Sequence, residues 1–162
     1  MPVAAVHAEL DRVLACAREL VVAGDGARAH RVLTIYRALT AGHADDEEAL
    51  LVPLLDGAAR WPPALYHGQH GKLLAGLDRV APLVPALCAS TPGWRRRALV
   101  ILDALGPVVH LAEHHHQAEE TDLFAVARAR APDRLDEVAA RFWAAHAGVA
   151  PDLAEAAAAL GA

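Results

Sequence analysis

Histidine and glutamate recur at a four-residue spacing in two separate parts of the chain. His115 and Glu119 form one pair, and His43 and Glu47 form the other. Residues four positions apart lie one turn apart on the same face of an α-helix, so each pair directs an imidazole and a carboxylate at one point. Both groups are common ligands of first-row metal ions. Each segment therefore supplies half of a candidate metal site.

Two further histidines, His7 and His70, stand among apolar residues that recur at helical steps. A single histidine on an apolar helix face is usually a core residue with its own hydrogen-bond partner. Four successive helices that each bury a histidine are different, because a buried polar group without a partner costs about 1 to 3 kcal/mol. A total stability of about 5 to 15 kcal/mol does not sustain that cost six times. We therefore predict one metal site formed by His7, His43, Glu47, His70, His115 and Glu119.

The apolar composition predicts an all-α fold. The chain is 55% hydrophobic but only 4% aromatic, and its apolar residues are mostly Ala, Leu and Val, which favours helices over sheets. A length of 162 residues suits one domain. We predict an up-down antiparallel four-helix bundle over residues 1–130 with an additional short C-terminal helix. Residues 131–162 form this helical extension, which packs on the bundle within a single domain.

Capping residues and prolines predict where several helices begin and end. Thr91 caps the fourth helix with Pro92 at its first position, and Asp133 caps a fifth that runs to about Ala147. The histidines of the second and third helices lie at unequal distances from the connection between those helices. The second helix therefore either overhangs the bundle or ends near Pro53.

Net charge disfavours two classes of partner, and the cysteines indicate a cellular compartment. A net charge of −5 and a pI near 6.0 give no electrostatic attraction for nucleic acid or for an anionic membrane. Cys16 and Cys88 lie far apart and form no Cys-x-x-Cys motif, which suits a reducing compartment. Charges interrupt every long apolar region, and the N-terminus has no signal-like core. We predict a cytoplasmic protein with no nucleic-acid or membrane partner.

The combined pattern resembles the hemerythrin-like (HHE cation-binding) family over about residues 1 to 130. The resemblance implies a bundle around a non-haem di-iron centre in which the four histidines are terminal ligands and Glu47 and Glu119 are bridges. It implies two iron ions with an oxo or hydroxo bridge, and manganese or zinc are the alternative metals. The residues that carry the resemblance are His7, His43, Glu47, Glu48, Leu51, Pro53, Gln69, His70, His115, His116, Glu119, Glu120, Leu123 and Phe124.

The chain departs from the oxygen-carrying hemerythrins at two positions. Those proteins have a further histidine one turn before the ligand of the third helix, where this chain has Tyr66; His67 could substitute only if the helix rotated. They also place the carboxylate of the fourth helix five residues after its histidine, which would select Glu120 rather than Glu119. The four-residue spacing found here is similar to the iron-sensing and iron-repair branches.

Other polar residues near the ligands have alternative interpretations. Glu48 and Glu120 complete the coordination, orient a histidine or are solvated. Four further histidines are interpreted as surface residues or as residues behind the ligands: His110, His114, His116 and His146.

The resemblance implies a protein that binds iron and a small ligand such as oxygen, nitric oxide or peroxide. Its work would be sensing, scavenging or iron handling rather than catalysis. An enzyme is the alternative, either a di-iron oxidase or peroxidase, or a mononuclear thiol transferase of the DinB-like type, which uses three histidines. A third hypothesis is a helical scaffold without a physiological metal. The sequence leaves the oligomeric state open, with a homodimer as one option.

Overall fold

The computed structural model describes residues 3–55 and 60–161, and these residues contain helices but no strand. The predicted all-α bundle is confirmed. A π-helical turn, Glu119–Leu123, joins the fourth and fifth helices into one long rod. In the part of the chain described, no helix combines the length and apolar character needed to cross a membrane. The α-helices are α1 (Ala4–Ala23), α2 (Gly26–Leu50), α3 (Pro63–Val80), α4 (Trp94–Ala118), α5 (Phe124–Arg130) and α6 (Pro132–Ala158).

The first four helices alternate in direction, as predicted for an up-down bundle. Asp11 in α1 lies 3.2 Å from His116 near the end of α4. Gly24, which follows α1, packs closely against Trp94 at the start of α4. These contacts require α1 and α4 to be antiparallel, and ion pairs between α2 and α3 show the same alternation.

The connection between α1 and α2 depends on two glycines and an aspartate. Gly24 has a φ of 76°, a left-handed conformation that favours glycine. The Asp25 carboxylate accepts a hydrogen bond from the Arg28 amide at 3.0 Å and so caps α2. A Cβ atom at Gly26 would lie 2.4 Å from the carbonyl oxygens of Val84 and Leu87. Glycine is therefore needed where the two loops at this end of the bundle meet.

The structure decides between the two alternatives for the end of the second helix and corrects the predicted starts of two others. The second helix ends at Leu50, before the 3₁₀ turn that contains Pro53, so it does not overhang. The fourth begins at Trp94 rather than after Thr91, because Gly93 adopts a φ of 78°. Asp133 does not cap the last helix, because Pro132 already occupies its first position, where a missing amide hydrogen costs nothing.

The additional C-terminal helix is long, contrary to the prediction of a short one. It spans 27 residues and continues through Pro151. Beyond this proline, Leu153 and Ala156 are buried, and Glu155 lies 3.5 Å from Arg31 of α2. Packing against α2 therefore outweighs the lost backbone hydrogen bond.

The π turn displaces the buried stripe of the rod by one residue. The Phe124 amide donates to the carbonyl oxygen of Glu119, five residues earlier. Phe124 and Ala127 are consequently buried, whereas Val126, which a regular α-helix would place on the same face as Glu119, is only half-buried. The extra residue changes which side chains face the core after Glu119.

Candidate metal centre

The structure brings the six predicted site residues together in the middle of the bundle. None is more than 5% exposed. They form two groups of four whose nitrogen and oxygen ligand atoms lie within 4.8 Å of one another. Glu47 and Glu119 belong to both groups. The first group adds His7 and His43, and the second adds His70 and His115.

Glu119 is the most connected residue of the cluster. Its carboxylate lies 3.0 Å from Nε2 of His115, 3.3 Å from Nε2 of His70 and 3.3 Å from Nε2 of His7. It stands at the first residue of the π turn, one helical turn after His115. A single carboxylate therefore reaches imidazoles from α1, α3 and α4.

Glu47 occupies the corresponding position on α2. One of its oxygens lies 3.3 Å from Nε2 of His43, and the other lies 3.5 Å from Nε2 of His70. Nε2 of His43 is also 3.2 Å from Nε2 of His7. All four imidazoles thus direct the same ring nitrogen into the cluster.

Three of the four rings are held from outside through their other nitrogen. An oxygen acceptor next to Nδ1 favours the tautomer that carries its proton there, which leaves the Nε2 lone pair free for a metal. Glu48 and Glu120 therefore stand in positions that orient histidines. Gln69, which had no predicted role, does the same. The Nδ1 contacts are His70 to Glu48 at 2.7 Å, His7 to Glu120 at 2.9 Å and His115 to Gln69 at 3.0 Å.

The cluster leaves buried carboxylate oxygens without adequate partners. Neither oxygen of Glu47 and only one oxygen of Glu119 makes a hydrogen bond of good geometry within the described residues, although ring nitrogens lie nearby. A buried carboxylate without adequate partners is energetically costly. A cation bound to these oxygens would remove that cost. Nitrogen and oxygen donors without a thiolate suit iron or manganese. The residues present therefore fit a metal site.

Burial and mutual contact separate the proton affinities of the two glutamates. Burial, together with the neighbouring carboxylate of Glu119, raises the pKa of Glu47 well above its ordinary range. Burial also opposes ionisation of Glu119, but contacts with His115, His7 and His70 outweigh it and lower the pKa of Glu119. One carboxylate is thus ionised more readily than its neighbour.

The imidazoles of the cluster also differ in their pKa values. Burial lowers the pKa of His7, but contacts with Glu119 and Glu47 outweigh it and raise that pKa to about 9. His70 is also buried, and its carboxylate contacts raise its pKa to about 10. Burial and the neighbouring His7 lower the pKa of His43 to about 3. Without a metal, charged and neutral rings therefore share the site.

Aromatic rings enclose the half of the cluster formed by His7 and His43. Phe142 of α6 packs edge-on against the His43 ring at 5.9 Å between centroids, and Phe124 stacks on His7 at 5.1 Å. His116 is buried and lies parallel to His7 at 4.2 Å. Of the two interpretations of His116, the structure supports a position behind a candidate ligand, His7. The contribution of α6 was not predicted.

Tyr66 and His67 do not belong to either group. The Tyr66 hydroxyl donates to Asp122 at 2.9 Å, and the same carboxylate accepts the backbone amides of Arg60 and Trp61. His67 is about half exposed, and its Nδ1 lies 2.7 Å from Glu48. His67 therefore does not substitute for a ligand.

The other three histidines that were interpreted together with His116 lie away from the cluster. His110 and His114 are exposed and face each other with ring centroids 4.3 Å apart. His146 contacts Glu9 of α1.

Comparison with known proteins gives one match. A family model described as the hemerythrin HHE cation binding domain matches residues 62–162. The matched range contains His70, His115 and Glu119, and it extends past the predicted limit of residue 130 through α6. No curated protein and no solved structure matches the chain. Because the family model covers more than half of the 162 residues, the chain belongs to the hemerythrin HHE cation-binding family.

Proposed function

We propose that this chain is a di-iron protein that binds a small ligand such as oxygen, nitric oxide or peroxide. The observation that carries the proposal is the sharing of Glu47 and Glu119 between two groups of four. A carboxylate has two oxygens and can bridge two ions, so each ion would receive two imidazoles and two carboxylate oxygens. His7 and His43 would hold one ion, and His70 and His115 would hold the other.

The charge of the surrounding residues suits two divalent cations. Glu47 and Glu119 lie inside the cluster, and Glu48 and Glu120 contact the outer nitrogens of His70 and His7. When all four carboxylates are ionised, they balance the four positive charges of two divalent ions. A buried cation needs such compensation.

Burial of the site favours a small ligand over a larger substrate. The six residues are at most 5% exposed, so a thiol substrate of the enzyme alternative would require the bundle to open. A diatomic molecule or peroxide needs much less space. When bound, the two iron ions would supply redox-active centres with coordination positions left for such a ligand.

The chain's own residues would orient the ligands and exclude water. Glu48, Glu120 and Gln69 hold the outer nitrogens of three histidines, which fixes the direction of each Nε2. Phe142 and Phe124 cover the rings of His43 and His7 with apolar surface. These contacts suit a role in sensing, scavenging or iron handling.

Iron content and optical absorption test the proposal. The protein is loaded with ferrous iron without oxygen, and its iron per chain and spectrum are measured before and after oxygen is admitted. Two irons per chain and a new charge-transfer absorption are expected. One metal per chain would favour the mononuclear alternative, and no metal with an unchanged spectrum would contradict the proposal. The matched control is His110→Ala, which changes an exposed histidine of α4, the helix that also carries His115. This variant should behave as wild type.

A further inference from the structure

An apolar surface lies at the end of the bundle away from the candidate metal centre. Four of the five exposed large hydrophobic residues in the described chain, Val22, Leu83, Leu99 and Val100, gather there. Leu99 is 61% exposed and Val100 is 56% exposed. Both precede His115 along α4, by about 24 and 22 Å respectively at 1.5 Å per residue. This surface is therefore separate from the proposed di-iron site.

Leu99 and Val100 form a ridge between two hollows. On one side, a hollow of about 340 Å³ lies between α4 and the 3₁₀ turn Ala81–Leu83 that follows α3, with Leu83 and Pro92 in its wall. On the other side, a hollow of about 300 Å³ lies between α4 and α1, with Val22 in its wall. A protruding ridge with a depression on each side is the shape that a second helix can pack against.

An unpaired charge stands at each end of this apolar ridge. Arg96, Leu99, Val100 and Asp103 follow helical steps and share the exposed face of α4. Neither the Arg96 guanidinium nor the Asp103 carboxylate has a hydrogen bond or ion pair with any residue of the described chain. They lie about 10 Å apart along the helix axis. The face therefore carries a positive end, an apolar centre and a negative end.

The neighbouring arginines already have partners within the chain. Arg95 stacks on the Trp94 ring at 4.8 Å, and Arg97 donates to the carbonyl oxygen of Ala86 at 3.3 Å. Of the three arginines, Arg96 is the one whose side chain has no hydrogen bond, ion pair or ring contact within the described chain.

We propose that this face of α4 docks a second copy of the same chain. The two α4 helices would cross antiparallel about a two-fold axis that passes between Leu99 and Val100. Arg96 and Asp103 are equally distant from that axis, so each Arg96 faces the partner's Asp103. The apolar ridges meet at the centre. Such a surface is self-complementary, as a two-fold interface requires.

Charge distinguishes a second copy from other occupants. An anionic membrane or a uniformly acidic protein would be attracted by Arg96 but repelled by Asp103 at the other end of the same face. A second copy in antiparallel register satisfies both charges. The two-fold arrangement therefore accounts for both unpaired groups.

Charge exchange tests both the partner and the register. In sedimentation equilibrium, wild type is expected to form dimers, and Arg96→Asp or Asp103→Arg alone should weaken dimerisation by about tenfold or more, because like charges then meet. The double variant R96D/D103R should restore it, because opposite charges face each other again. The matched control R95D/D103R has the same net charge but exchanges the wrong arginine, and it should stay weak.

Several results would overturn the proposal. A wild-type protein that stays monomeric at about 100 µM, where a specific interface of ordinary size would associate, excludes a second copy. Dimers that R96D/D103R fails to restore, with circular dichroism showing an intact fold, exclude this register. Monomeric protein that cosediments with vesicles of phosphatidylserine and phosphatidylcholine identifies a membrane as the occupant instead. None of these variants alters a residue of the candidate metal centre.

Discussion

The two nitrogens of each candidate histidine ligand have different surroundings. Nε2 points into the cluster in all four rings, whereas Nδ1 of His7, His70 and His115 contacts an oxygen acceptor outside it. Nδ1 of His43 is buried with no partner in the described chain. Three candidate ligands are thus held by polar contacts, and His43 is held by packing against Phe142.

Removal of a ligand should remove metal without unfolding the bundle. We expect His43→Ala or Glu119→Ala to lose bound iron, because each residue contributes to a four-residue group, while most helix remains. Metal analysis and far-ultraviolet circular dichroism measure the two effects. His110→Ala is the control and should keep its metal. Full iron content in either ligand variant would show that the ligand assignment is wrong.

Glu48 and Glu47 are adjacent in sequence but should respond differently to substitution. Glu48 contacts the outer nitrogen of His70, so Glu48→Ala should weaken metal affinity by about 10- to 100-fold without changing the number of ions bound. Glu47 belongs to both groups, so Glu47→Ala should lower the number of ions. Competition with a chelator measures affinity, and metal analysis counts the ions. A lower count in Glu48→Ala would make Glu48 a ligand.

The sequence predicts the six residues of the cluster, and it offers Glu48 and Glu120 as residues that orient a histidine, but it does not predict the rest of the surroundings. A histidine and a glutamate four residues apart indicate a shared helix face, and apolar neighbours indicate that this face is buried. Gln69 and Phe142 carry no such signal, because glutamine is common on surfaces and phenylalanine is common in cores. Their roles depend on which helix lies opposite, and this is a property of tertiary packing.

The π turn at Glu119 is an element that the sequence pattern does not reveal. Both carboxylates at its start contact His7, Glu119 at Nε2 and Glu120 at Nδ1. A π turn contains one extra residue but requires no particular residue types or helix propensities. The sequence pattern therefore shows no break in the α-helical periodicity at this turn. Glu119 and Glu120, the two carboxylates distinguished by their spacing from His115, therefore contact opposite sides of one ring.

The N-cap of α2 should contribute stability that depends on pH. The hydrogen bond from the Arg28 amide and the Arg28 side chain lower the pKa of Asp25 below its ordinary value. The contribution is therefore complete above the unfolded pKa of about 3.9 and is lost as pH falls through the folded pKa. We expect Asp25→Ala to lower the free energy of unfolding by about 1 kcal/mol at pH 7.

Urea unfolding at pH 7 and near pH 3 measures this effect as the difference between wild type and variant. The difference should shrink at the lower pH. Asp25→Asn is the control, because asparagine caps helices about as well but does not titrate there. An Asp25→Ala difference that is unchanged near pH 3 would show that the charge of Asp25 does not contribute.

At the scale of the whole molecule, α6 forms part of the enclosure of the site. Phe142 covers His43, and Arg141 reaches Asp46 of α2 at 2.7 Å. The family match also includes this helix. The sequence predicts its existence but not its length, because Pro151 and the surrounding alanines give no sign that α2 offers a long surface for packing.

The metal-free molecule carries the cost of a buried carboxylate without adequate partners. Glu47 is fully buried, and its oxygens make no good hydrogen bond in the described chain. A leucine of similar volume removes this cost, and replacement of buried ionisable groups by apolar residues is often neutral or stabilising. In chelator, we therefore expect Glu47→Leu to unfold at the same urea concentration as wild type or a higher one.

With metal bound, wild type should be more stable than Glu47→Leu. A ligand at about 100 times its dissociation constant stabilises the folded state by about 2.7 kcal/mol, so manganese should raise the urea midpoint of wild type. Glu47→Leu should gain little, because both groups have lost a shared carboxylate. His110→Ala should follow wild type in both conditions. If Glu47→Leu is strongly destabilised in chelator, Glu47 supports the metal-free fold; if it gains as much from manganese as wild type, Glu47 does not bridge the ions.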